Sequence, residues 1–283
     1  MRPILAQLEI DPLDPPELPS LRIRWYLTGP LTSIPLHALG PPDGQDGADL
    51  HRLVISSYIM TMSSFSRDAR PPTCPQHMLA VGVRETPGRQ RKTLDNAEDE
   101  VKAVIETLRE KGWPPDRITS FDDTTTAVVD KILPALKTCS WLHLACHGLP
   151  NFDSPLQSAF ALYDRDLTME TIASQKLEAA EAAFLSSCSA AAGGQHNPGE
   201  AMHLAASMLF SGFRSVVGTL WEVDDHDAMT VAYRFYEHLL EEGPRGMTAE
   251  NVALALHRAV AILRQGRYSK SPRRWAPFIS YGV

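Results

Sequence analysis

Two short apolar runs constrain the fold of this chain more than any other feature. Ser140 to Gly148 reads SWLHLACHG, and Ala182 to Ser187 reads AAFLSS and leads into Cys188. Each reads as a buried strand, the first built on Trp141, Leu142, Leu144 and Ala145. The first ends in His147 followed at once by Gly148. The second ends in Cys188, 41 residues further on (188 − 147). Strands ending this way can bring an imidazole and a thiol together at one edge of a parallel sheet, where open α/β sheets hold their chemistry.

The surrounding pattern supports such a sheet. Residues 3–19 hold five prolines among several acids, a linker composition, so residues 1–20 are expected to be a Pro-rich N-terminal linker and 21–283 the folded domain. Alternation in Leu21–Thr28 predicts a strand, and further strands are expected at Leu53–Met62, His77–Val83 and Arg117–Phe121. Asp95–Lys111 carries Val101, Val104, Ile105 and Leu108 at helical spacing, with Gly112 as its stop. A helix is expected over Thr124–Leu136, capped by one of its threonines. The basic stretch Arg84–Lys92 reads as a solvated loop open to nicking.

After His147 come a polar loop, a strand in SAFALYD and a short helix in LTMETIA. Beyond Cys188 lies a Gly-rich loop, then a helix that starts at Asn197 and Pro198 and runs to about Phe210. A buried strand, SVVGTL, follows, with the acidic loop EVDDHD behind it. Two amphipathic helices and a last apolar segment in SPRRWAPFISYGV close the chain. Strand–helix–strand order of this kind predicts an α/β fold with a mostly parallel central sheet and helices on both faces.

Composition removes several functions. A net charge of −7 argues against general nucleic-acid binding, which needs a basic surface. No run approaches the roughly 20 apolar residues of a membrane span, and Asp and Glu interrupt the N-terminus where a signal peptide would be apolar. A cytoplasmic location is expected. The four cysteines, Cys74, Cys139, Cys146 and Cys188, are too few and too scattered for a disulfide framework, and none has CxxC spacing. No phosphate loop or cofactor motif is visible, so no cofactor and no metal are expected.

Cleaving a peptide bond with cysteine takes a thiolate, an imidazole that shuttles a proton, and N–H groups that hold the oxyanion. His147 and Cys188 supply the first two. Gly148, lacking Cβ, lets a backbone N–H approach a substrate carbonyl, and the N–H of Cys188 is a second donor. Strand parity places His143, Ala145 and His147 on one side and Leu142, Leu144 and Cys146 on the other. Cys146 is therefore set aside as a metal ligand and, with Cys139, read as packing. His143 reads as a hydrogen-bonded residue of the core or the site's surroundings.

HLACHG, then LSSCSAAAGG, then SVVGTLWEVDD together resemble the CHAT domain, a group of caspase-like cysteine peptidases related to separase and commonly fused to tetratricopeptide repeats. GPLTSIPLHAL, LDNAEDEV and RRWAPFISYG resemble further family segments, so the likeness covers roughly residues 21–283. It implies a caspase-like fold, with His147 and Cys188 as the dyad and Gly148 beside the oxyanion. The spacing is near the roughly 50 residues that separate His and Cys in caspases. The family often has Thr at Cys146 and Ala at Ser187, and both departures leave the dyad untouched.

The acidic loop lies after the strand that follows Cys188, beside the expected site. Its acids read as helix N-capping groups or, by similarity to separase, as binders of a basic substrate side chain. Asp225 is the first choice, with Asp224 and Asp227 behind it. Asp153 is a further candidate for substrate contact or for orienting the histidine. The resemblance implies a cysteine endopeptidase acting on a protein or peptide substrate, a regulated effector of a defence or cell-death pathway under an upstream repeat or sensor module. The rival is a catalytically silent CHAT module that binds or scaffolds proteins.

Overall fold

The computed structural model describes residues 5, 7–11, 13–16, 19–40, 49–61, 76–151, 153–186, 200–265 and 271–283. The predicted loop over 41–48, the Ser-rich and Cys74 segments, the Gly-rich loop and the helix start at Asn197 and Pro198 lie outside them, as does Cys188.

Eight strands form the central sheet in the order β1-β2-β11-β10-β9-β5-β3-β4. They are β1 (Arg22–Tyr26), β2 (Ile55–Ile59), β3 (Met78–Gly82), β4 (Ile118–Phe121), β5 (Trp141–Ala145), β9 (Ala182–Leu185), β10 (Ser215–Thr219) and β11 (Phe278–Gly282). Neighbours run parallel except β10 and β11, which are antiparallel. From β3 the chain goes outward to β4 and returns on the other side as β5, so the strand order reverses between β3 and β5. That reversal opens a crevice at their C-terminal ends. A small antiparallel sheet of β6 (Gly148–Leu149), β7 (Ala159–Ala161) and β8 (Asp166–Thr168) follows directly from β5. The sequence reading had one strand there.

Both faces of the sheet are covered. One core gathers Leu142, Leu144, Cys146, Ala183 and Leu185 with α3 (Val129–Thr138), α4 (Met169–Ala173) and α5 (Glu200–Ser211). Short α1 (Leu50–Leu53) and Leu5, within residues 1–20, also pack there. The other core gathers Trp141, Ala145, Ala182, Phe184 and Val217 with α2 (Ala97–Glu110), α6 (Asp225–Leu239) and α7 (Val252–Gln265). Alternate residues of β5 thus enter opposite cores, as the period of two requires.

Local chemistry sets the boundaries. α2 buries Val101, Val104, Ile105 and Leu108 and carries Glu98, Asp99 and Glu100 in its first turn, where acids complement the helix dipole. Gly112, at φ +85°, takes the left-handed conformation past its end. The helix expected from Thr124 starts later, at Val129. The Asp123 side chain accepts from the Thr125 N–H at 2.9 Å, turning three β-branched threonines into a 3₁₀ turn first. At the end of β3, a Cβ on Gly82 would sit 2.7 Å from the Ala97 carbonyl oxygen. Only glycine lets the head of α2 press so closely on the sheet.

Candidate active site

The C-terminal ends of β3, β5, β9 and β10 share one edge of the sheet, and the segments leaving them meet there. His147 stands two residues past β5 and is 2% exposed. Its Nε2 lies 2.6 Å from the Lys92 carbonyl oxygen. A carbonyl only accepts, so Nε2 carries the proton and Nδ1 is the bare lone pair of the neutral ring. Nδ1 is buried and has no partner among the described residues. Burial pushes the His147 pKa below its ordinary value, helped by Arg91 and opposed by the Lys92 hydrogen bond and by Asp225. The ring is therefore held as a neutral base with a fixed tautomer. Its own carbonyl accepts from the Ala161 N–H at 2.9 Å, and buried Gly148 opens β6 opposite Phe160.

The partner strand is registered to match. Trp141 pairs with Ala182 and Leu144 with Leu185, an offset of 41 (182 − 141). The Ser186 N–H continues the ladder to the Leu144 carbonyl at 2.8 Å. The Ser186 hydroxyl is buried without a partner among the described residues. Cys188, two residues further, is not among them.

The acids of the loop after β10 have separate surroundings. Asp224 caps α6 by accepting from the His226 N–H at 3.1 Å. Asp227 is 1% exposed, and its carboxylate is gripped through both oxygens by Arg274, with Nη2 to Oδ1 at 2.7 Å and Nε to Oδ2. Asp225 is half-buried and close enough to His147 for their charges to interact. Burial holds its carboxyl above the ordinary value, while the Lys92 ammonium draws it down. The structure thus brings His147, Gly148 and Asp225 to one place. Asp153 is exposed in the segment between β6 and β7.

Beneath the site lies a buried polar group. His143 is fully buried, stacked on Phe184 at 5.3 Å, with Nδ1 3.3 Å from the Tyr236 hydroxyl. Its Nε2 is 3.0 Å from Oε1 of buried Glu100, a close approach outside hydrogen-bond geometry. Burial, with Glu100 nearby, raises the Tyr236 pKa well above its usual value. Cys139 and Cys146 are buried and their thiols pushed up to about 12 by desolvation.

Several of these partners were not visible in sequence. The 84–92 stretch is the largely exposed loop expected, but two of its arginines anchor it. Arg89 donates to Asp166 at 2.5 Å and to the carbonyls of Leu162 and Tyr163, and Arg91 reaches Asp166 at 3.1 Å. These bonds fix the chain that delivers the Lys92 carbonyl. Glu100 did leave a signal: it stands four residues before Val104, on the buried stripe of α2.

Solved structures similar to this chain include a cysteine proteinase. The Arg specific cysteine proteinase gingipain R is similar with a TM-score of 0.56 and 10% identity, over 84% of this chain and 56% of that one. The complex of pro- and mature domains of RgpB from Porphyromonas gingivalis gives 0.55 and 10%, over 81% and 55%. The chain therefore spans little more than half the length of these neighbours. No curated protein matches it. The architecture is the caspase-like α/β fold. The CHAT domain family model matches residues 1–283, and the chain belongs to the CHAT domain family.

Proposed function

We propose that this chain is a cysteine endopeptidase in which His147 and Cys188 form the dyad. The observation that carries this reading is the neutral His147 ring, with Nε2–H tied to the Lys92 carbonyl and Nδ1 left as an unpartnered base. The register adds to it: the offset of 41 between β5 and β9 equals the separation of His147 and Cys188.

In this mechanism Nδ1 takes the proton of the Cys188 thiol, and the thiolate attacks the peptide carbonyl carbon. The N–H groups of Gly148 and Cys188 hold the oxyanion. The imidazolium then gives its proton to the leaving amine as the C–N bond breaks, and water hydrolyses the thioester to free the thiol. The Lys92 carbonyl keeps the ring in place throughout.

Of the loop acids, Asp225 is the one we assign to a basic substrate side chain, because Asp224 caps a helix and Asp227 is taken up by Arg274. The Arg specificity named for gingipain R is in keeping with that choice. The same proposal includes an effector role under an upstream repeat or sensor module.

The test compares wild type with Cys188→Ala and His147→Ala on a peptide library carrying basic residues. Wild type is expected to cleave after basic residues and both variants to lose activity by at least about a thousandfold. Equal cleavage by wild type and Cys188→Ala would overturn the dyad, and no cleavage by wild type while Cys188 alkylates readily would overturn the reading in favour of a binding module.

A further inference from the structure

A second cluster of titratable side chains lies at the same end of the sheet. Phe278 opens β11 opposite Thr219, the last residue of β10, and behind it three imidazoles meet. His37 comes from the turn Leu36–Ala38, His51 from α1 and His257 from α7. The rings of His51 and His257 lie 4.0 Å apart, and His51 is 6.4 Å from the Trp275 ring.

The geometry suits neutral rings. His37 gives Nε2–H to the Ala276 carbonyl at 3.0 Å and takes the Tyr58 hydroxyl on Nδ1 at 2.8 Å. A second ring proton would have to displace the hydroxyl proton. His51 Nε2 is buried without a partner among the described residues.

Of the charges facing the cluster, the cations oppose protonation and the Asp49 carboxylate favours it. From α7 comes Arg264, its guanidinium carbon 4.4 Å over the Trp275 ring, and Arg258, paired with Glu241 at 2.7 Å. From α1 comes Asp49, already bonded to Arg264. β2 and β11 contribute the phenols of Tyr58 and Tyr281, whose rings are 6.2 Å apart. Burial, with the neighbouring cations, lowers His37 and His257 to about 4, and His51 is lowered as well. Among the described residues no three His, Cys, Asp or Glu side chains are arranged to hold a metal ion.

One short element joins this cluster to the acidic loop. α8 (Pro272–Trp275) turns Trp275 and the Ala276 carbonyl toward the imidazoles. With its other side it holds Asp227 through Arg274, which also approaches Asp224 at 3.6 Å. The Arg273 carbonyl accepts from Trp221 Nε1, in the loop after β10, at 2.9 Å.

We propose that the imidazole cluster is an acid-operated latch, in which a proton taken up by the closely apposed His51–His257 pair drives α8 off the cluster and loosens Arg274 from the acidic loop. A charged ring in this pair faces its neighbour and Arg264, and the one carboxylate nearby, Asp49, is bonded to Arg264, so relief comes from moving Trp275 and α8. Four residues held by side-chain contacts yield before the eight-stranded sheet does. The loss of activity that follows rests on the peptidase reading above; the local opening does not.

The test is amide hydrogen exchange on the full chain between pH 7 and pH 4.5, corrected for intrinsic rates, alongside NMR titration of the histidine rings. Residues 271–277 and 224–228 are expected to lose protection about tenfold per pH unit for each proton taken up, while 182–185 and 215–219 stay protected. The loss should begin below about 6.5, where imidazoles freed by the opening take up their proton. In the His51→Gln/His257→Gln variant the pH-dependent loss should fall below about twofold. Three results would overturn the latch: loss of protection in all strands together, rings that titrate in wild type without local opening, or an unchanged pH dependence in the variant. Activity of wild type at pH 7 reports separately on the peptidase reading.

Discussion

Replacing Arg274 by Met tests how the acidic loop is held. Asp227 is 1% exposed and both its oxygens are bonded to Arg274, whose side chain keeps a quarter of its surface in water. The two halves of the pair are therefore unequal. Without Arg274 a carboxylate is left buried and uncompensated, which costs about 3–5 kcal/mol at pH 7. Asp227→Asn leaves a neutral amide that still accepts a bond, and Arg274 can turn to Asp224, 3.6 Å away. That change costs about 1–2 kcal/mol.

Urea unfolding of both single variants and the double variant Asp227→Asn/Arg274→Met measures the coupling directly. The double variant should be more stable than Arg274→Met alone, because the buried charge is gone. Thermal unfolding of Arg274→Met should drop on the order of 10 °C, at about 2–4 °C per kcal/mol for a chain of this size. Strictly additive single losses, or a deficit for Arg274→Met no larger than for Asp227→Asn, would refute this account.

Three further outcomes follow from the same structure. Burial lowers the His147 pKa, so its base form persists below the ordinary imidazole value; the acid limb of the pH–kcat/KM profile should lie below about 6.5, and a limb above that contradicts the assigned tautomer and burial. Cys139 and Cys146, with thiols pushed up to about 12, carry about a thousandfold less thiolate than an ordinary cysteine; mass-spectrometric mapping of iodoacetamide labelling should find them unmodified in the folded protein while Cys188 reacts. Gly82→Ala sets a methyl 2.7 Å from the Ala97 carbonyl oxygen and should cost about 1–3 kcal/mol in urea unfolding, with no loss showing that α2 can shift.

What could be read in the sequence was what depends on near neighbours in the chain. The parity that separates Leu142, Leu144 and Cys146 from Trp141 and Ala145 is local, and it puts them in opposite cores. So is the stripe of Val101, Val104, Ile105 and Leu108. The partners of charged groups are a different matter. Asp224, Asp225 and Asp227 look alike in sequence, and only Arg274, 47 residues on, distinguishes Asp227 from the others. Arg89 and Arg91 look solvated by residue type, yet they close on Asp166 some 75 residues away. The group that sets the His147 tautomer is a backbone carbonyl, which any residue at position 92 would supply. Residue type therefore locates the histidine and the strand that carries it. Which nitrogen holds the proton, and which acid remains available to a substrate, follow from long-range closure. Variants at Arg89, Arg91 or Arg274, none of them part of the proposed dyad, should therefore disturb the candidate site through the groups they hold.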